Sequence, residues 1–245
     1  NHLGLTIGSV THPPSSALVA TTGTFNSSVT STGLIVSNNG SNGNVSAKIT
    51  NTGTSTNDDA VLGFLTQGNR NYSIGIHRDS GKFTVSNLDA SVSSGEIISI
   101  GNSGTVNMPL QPAFLARPAS NQENISTGGV TIVFGTEIFD QNADFASNTF
   151  TAPVTGRYLL AVCIRLGAVD SASSRYELKI ETSNRNYNYN FDPDFGQDAA
   201  TWTTAWSVLA DMDASDTAIV TINQTAGTAQ TDIHTDSTFS GYLVA

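Results

Sequence analysis

A chain of 245 residues has room for one or two domains, at about 100–200 residues each. Charged residues make up only 12% of it, while Ser, Thr, Asn and Gly are abundant, so the surface it predicts is rich in hydroxyls and amides rather than ion pairs. A net charge of −10 with scattered basic residues excludes a phosphate-tracking nucleic-acid binder and disfavours anionic membranes. No apolar run approaches the ~20 residues of a membrane-spanning helix, so no membrane insertion is expected.

Residues 1–24, with Pro13 and Pro14 and no periodicity, read as an extended N-terminal connector that can pair with other subunits or other proteins of an assembly. The chain opens on Asn1 rather than Met and reads as part of something longer. From residue 25 to 108, short alternating runs such as AVLGF, NYSIGI, KFTVSN and EIISI are broken by turn residues. Asn39-Gly40, Asn42-Gly43, Gly68-Asn69 and Ser80-Gly81 are hairpin signals flanked by β-formers. Pro109, Pro112 and Pro118 cannot donate to a ladder, so 109–120 is expected to be a stiff linker. Strand-like runs resume from 121 to 245. Eight of them, from VTIVFGTEIF to STFSGYLVA, suit a two-sheet jelly roll. The expected fold is therefore all-β, a small hairpin module followed by a jelly roll.

Catalysis has little support. His2, His12, His77 and His234 stand far apart in sequence, and none lies in a nucleophile or metal motif. A glycosidase needs two carboxylates about 5–10 Å apart, which no local motif supplies. A non-enzymatic protein is expected. Cys163, the one cysteine, excludes an intrachain disulfide and reads as a buried, inert thiol within GRYLLAVCIRL. In NFDPDFGQDAA, the carboxylates of Asp192, Asp194 and Asp198 surround Gly196, the pattern of oxygen ligands about a sharp turn that calcium loops use. No other cofactor is suggested. A second acidic run, Asp211, Asp213 and Asp216, reads as a structural turn. Tyr187, Tyr189, Trp202 and Trp206 are candidates for stacking on a receptor sugar. Trp202 and Trp206, four apart on a strand, share a face, and core or subunit-interface packing is the competing reading.

One stretch carries a resemblance. Phe145, Phe150, Thr151, Pro153, Gly156 and Tyr158, with Phe239, Ser240, Gly241, Tyr242 and Leu243 at the end, resemble the signature of the complement-q globular head, a jelly roll of the tumour-necrosis-factor type. The run between Phe145 and Phe150 is short for that family, and Leu160 and Val162 stand where aromatics are common. The resemblance implies a homotrimer. Upstream, Tyr72, Ile74, Gly75, Ile76, Lys82, Phe83, Val85, Ser86, Ile100, Gly104 and Val106 resemble a β module of phage tail fibres and adhesins. Together these imply a trimeric phage fibre, exposed on the virion surface outside the cell. Its head would attach to a glycan or protein of the host surface, through the head connections Gly167–Ser174, Asp192–Thr201 and Thr225–Thr235. A purely structural fibre or capsid decoration protein is the alternative. A glycan depolymerase is a third, which the lack of a long repetitive β-helix disfavours.

Overall fold

The computed structural model describes residues 49, 51–55, 58–65, 71–88 and 91–245. The expected connector 1–24, the opening of the fibre module up to residue 48 and the turns at 39–43 and 68–69 lie outside the described residues. All described regular structure is β, with no helix among the described residues.

Five strands form the upstream module: β1 (Ala60–Phe64), β2 (Tyr72–Ile76), β3 (Phe83–Ser86), β4 (Glu96–Ile100) and β5 (Val106–Asn107). They pair antiparallel in chain order, as short hairpin connections favour. The Ser80-Gly81 signal lies in the turn closed by the His77 N–H to the Lys82 carbonyl (2.9 Å), where the His77 ring also meets Ser80 Oγ (2.8 Å). Alternation, shifted once by an irregularity opposite Val85 and Ser86, divides the sheet into unlike faces. One carries Leu62, Ile74, Val85 and Ile98 in one rung, and Ala60, Ile76, Phe83, Ile100 and Val106 in the next. The other carries Ser73, Thr84, Ser86 and Ser99, all buried. The connection after β3 folds over that polar face: Ser73 Oγ donates to the Leu88 carbonyl (2.9 Å) and Ser86 Oγ to that of Ser94 (2.8 Å).

Twelve strands form the head. They are β6 (Ala113–Arg117), β7 (Gly128–Thr131), β8 (Thr136–Gln141), β9 (Phe145–Ala146), β10 (Thr149–Thr151), β11 (Gly156–Val169), β12 (Arg175–Thr182), β13 (Asn186–Phe191), β14 (Ala199–Met212), β15 (Thr217–Thr225), β16 (Asp232–Ile233) and β17 (Thr238–Leu243). One sheet has the order β13-β12-β15-β10-β9 and the other β14-β11-β17-β6-β8, with β16 on β11. Apart from the hairpins β12-β13 and β9-β10, neighbours are non-consecutive in the chain, the mark of a jelly roll. The sequence reading is corrected at 109–120. Pro112 and Pro118 bracket a strand rather than a free linker, and the five residues between them keep their N–H groups and pair as β6 with β17 and β8.

The core lies between the sheets. Alternation on β11 buries Tyr158, Leu160, Val162, Ile164 and Leu166, facing Tyr176, Leu178 and Ile180 of β12 and Val220 and Ile222 of β15. Burying each such aliphatic side chain is worth about 1.5–3 kcal/mol. Aromatic residues of the signature close one end of this core. Phe114 stacks between Phe145 and Phe150 (4.8 Å each) and meets Phe239 edge-on (5.0 Å), while Phe150 packs on Tyr158 (5.3 Å). The Tyr158 hydroxyl donates to the Val154 carbonyl (2.7 Å), so the ring is buried without an orphaned polar group. Gly241 is required by close approach, because a Cβ there would lie 2.8 Å from both Leu160 and Phe114. The short run between Phe145 and Phe150 is a tight hairpin with Ser147 and Asn148 both at positive φ (51° and 66°), the geometry of a type I′ turn.

Cys163 departs from expectation. An odd position on β11 points away from the core, so the thiol is half-buried on the outer face beside Ala205 and Thr238.

Candidate binding surface

Three connections far apart in sequence meet at one end of the head, and two carboxylates join them. Asp170, just after β11, is 4% exposed. Its Oδ1 accepts the Ala172 N–H (2.8 Å), and its Oδ2 accepts the Thr228 N–H from the connection after β15. Gly227 precedes that N–H with φ of 76°, and a Cβ there would collide with Asp170 Oδ2. Glycine thus lets the second connection close onto the carboxylate. The Asp170 N–H in turn donates to the Tyr176 hydroxyl (3.0 Å), which also bonds Thr231 Oγ1 (2.6 Å). Burial pushes the Tyr176 phenol above its ordinary pKa, so it stays neutral.

Asp198 makes the second junction, at the surface. Oδ1 accepts the N–H (2.9 Å) and hydroxyl (2.8 Å) of Ser171, and Oδ2 accepts from Gln230 Nε2 (2.8 Å). The Gln230 bond first, then those of Ser171, hold this carboxyl below the usual carboxylate range. The three connections singled out in the sequence therefore form one tied surface, with Asp198 as their common acceptor.

That engagement bears on the calcium reading. Both oxygens of Asp198 face donors, and Asp192 and Asp194 are exposed on the turn. Among the described residues, no three His, Cys, Asp or Glu side chains group so as to hold a metal ion. In the other acidic run, Asp211 pairs with Arg185 (2.6 Å) and Asp216 Oδ2 accepts the Asp213 N–H (2.7 Å). Ser215, at φ of 77°, makes the left-handed step of that turn.

The structure does gather the aromatic candidates, along the seam between edge strands β13 and β14. Tyr189 stacks on Trp206 (5.5 Å, 16°), and Trp202 stacks on Phe191 (5.5 Å) and Phe195 (5.1 Å). Tyr187 points its hydroxyl toward Asp211 Oδ1 (3.5 Å), and burial raises its pKa. Tyr187, Tyr189, Trp202 and Trp206 are all half-buried against the core, and the indole N–H groups of both tryptophans are buried without a protein acceptor. Stacked on one another, these rings fill the seam rather than forming one flat platform. Phe195, 37% exposed, carries the stack out to the loop surface. Reading its loop for carboxylates passes Phe195 over; the available signal is an aromatic inside a turn with Pro and Gly. Ser171 and Gln230 leave no local signal, because the bonds that tie their loops together span 27–62 residues, and the bond from Asp170 to the connection after β15 spans 58.

A second surface lies on the outer face of the sheet containing β11. Leu115, Phe139, Leu159, Ala161 and Tyr242 line a shallow apolar depression there, with Phe139 50% and Tyr242 49% exposed. Leu209, 57% exposed, stands opposite Leu159 on the same face. An exposed apolar patch of this kind marks an interaction site.

Two packed sheets, tied loops at one end and an apolar outer face define a jelly-roll binding domain. The model of the C1q domain matches residues 113–244, more than half the chain, and the protein belongs to that family. Among solved structures, the globular domain of zebrafish complement 1qA is similar at 18% identity, covering 55% of this chain and 98% of that one, with a TM-score of 0.40. Murine APRIL at pH 8.0 is similar at 8% identity, covering 55% and 99%, with a TM-score of 0.42. No curated protein matches the sequence. Domains of this family typically assemble as trimers and act by binding rather than catalysis.

Proposed function

We propose that the chain is a trimeric phage fibre protein, exposed on the virion surface, whose head attaches to a host-surface receptor through the tied loops. The convergence of three polar connections on Asp198 carries this reading. Loops fixed by a rigid scaffold are where binding residues concentrate, and here the loops are fixed to one another as well. The polar groups of Ser171 and Gln230 gathered on Asp198, with the exposed Phe195 ring on the same connection as Asp198, suit a glycan, which offers polar edges and a C–H face. Three copies of a weak site gain by avidity. Assembly is supported by the outer apolar face at Leu115, Phe139, Leu159 and Tyr242. The N-terminal region then joins the fibre to other virion proteins.

The full chain is expected to block attachment of particles that carry it to their host cells. Phe195→Ala and Gln230→Ala are expected to weaken blocking at least several-fold while the melting temperature stays within a few degrees. If the wild-type chain does not compete, the adhesion reading fails and a structural fibre is the better account.

A further inference from the structure

Among the described residues, nothing covers one face of the five-stranded module. Its polar face is closed by the connection after β3, as the Ser73 and Ser86 bonds record. On its apolar face Leu62, Phe64, Tyr72, Ile76, Phe83, Ile100 and Val106 are 39–57% exposed. Three aromatics and four aliphatics at that exposure amount to roughly 500–600 Å² of apolar surface, at the upper end of what a monomer shows. The inversion is informative, because small polar residues are inside and large apolar ones outside. A sheet built to stand alone in water would reverse it.

We infer that this face packs against the same face of other copies of the chain, a self-association surface distinct from that of the head. Three observations select a copy of itself as the occupant. No charged side chain lies on the two apolar rungs, and Lys82 and Glu96 pair with each other (3.4 Å) on the polar side, where Glu96 also accepts from Ser99 Oγ. Identical faces can therefore meet without like charges opposing, although each chain carries −10 overall. The rungs are rows mostly of β-branched and aromatic residues, the surface that packs sheet on sheet at about 10 Å. The third is connectivity. Only Met108 to Pro112 separate β5 from the first head strand. That stretch is held to the head by Gln141 Nε2 on the Met108 carbonyl (3.0 Å) and by Gln111 Nε2 on the Leu243 carbonyl (3.1 Å). In a trimeric head, on which this inference rests for proximity, the modules are tethered at an effective concentration of about millimolar.

The test uses the full chain with Cys163→Ser and a single new cysteine, either Phe83→Cys on the apolar face or Ser103→Cys at the exposed hairpin tip. Maleimide labelling, a short bismaleimide cross-linker and sedimentation are read together. The expected result is slow labelling of the Phe83→Cys thiol, at least tenfold below that of Ser103→Cys, with cross-links between chains. Rapid labelling in a particle of three times the monomer mass overturns the module interface while leaving the head trimer standing. Slow labelling without interchain cross-links also overturns it and assigns the covering to another part of the same chain. A monomer by sedimentation removes the trimeric head, and rapid labelling in that monomer removes the module interface with it.

Discussion

Replacing Asp170 by alanine tests whether the loop surface is tied as described. The substitution leaves the Ala172 and Thr228 N–H groups facing a void where an almost fully buried carboxylate had accepted both. An orphaned buried donor costs about 1–3 kcal/mol, so the pair is worth on the order of 2–4 kcal/mol after partial relief by water at the loop margin. For a chain of this size each kcal/mol moves the melting temperature by about 2–4 °C, giving an expected fall of roughly 5–15 °C. Asp170→Asn keeps the volume and one acceptor and is expected to fall between. Asp198→Ala removes bonds of an exposed carboxylate, which water replaces, and is expected to move the melt least. Calorimetry and urea melts at one fixed protein concentration read the series, since assembly makes the transition concentration-dependent. Limited proteolysis of Asp170→Ala is expected to cut first at 225–231. If Asp170→Ala melts no lower than Asp198→Ala, the buried carboxylate is not what holds the connections together, and the account of this surface fails.

Ser215→Gly relieves a left-handed residue at about 1–2 kcal/mol, less the 0.5–1 kcal/mol by which glycine favours the unfolded chain, so a gain of about 0.5–1 kcal/mol in urea stability is expected. Asp144→Asn is expected to raise the melting temperature at pH 7. Burial first, and the neighbouring Asp140 second, raise the Asp144 pKa. A raised acid weakens the fold above its folded pKa and ceases to do so as pH falls below its unfolded value of about 4, so the two melts should converge in acid. A gain that persists unchanged at pH 3 would assign the effect to packing. Leu159→Asp places a charge on the outer apolar face and is expected to reduce a trimer to monomer in sedimentation while the monomer keeps its β circular dichroism. A trimer that survives places the interface elsewhere.

Period-2 alternation made most strands legible from the sequence, because a residue's face follows from its parity once one neighbour is buried. The same local logic made the signature readable: Phe150, Gly156, Tyr158, Phe239 and Gly241 each meet a steric or packing need that few other residues satisfy. It placed Trp202 and Trp206 on one face. What it could not supply was which strands pair and what lies across a gap. Strand β6 was hidden between two prolines, since its pairing with β17 joins residues more than 120 positions apart. Asp198 read as one of three calcium ligands from its spacing to Asp192 and Asp194, but tertiary structure sends its oxygens to Ser171 and Gln230. Asp170 carried no signal at all, for a buried carboxylate satisfied by backbone N–H groups needs no partner side chain that a sequence could show. Cys163 read as buried from its apolar run, and only the second sheet, by packing against the opposite parity, decided that it faces outward. Sequence determines which residues can share a face; which face is covered, and by what, is set by contacts whose energy exists only once distant strands have been brought together.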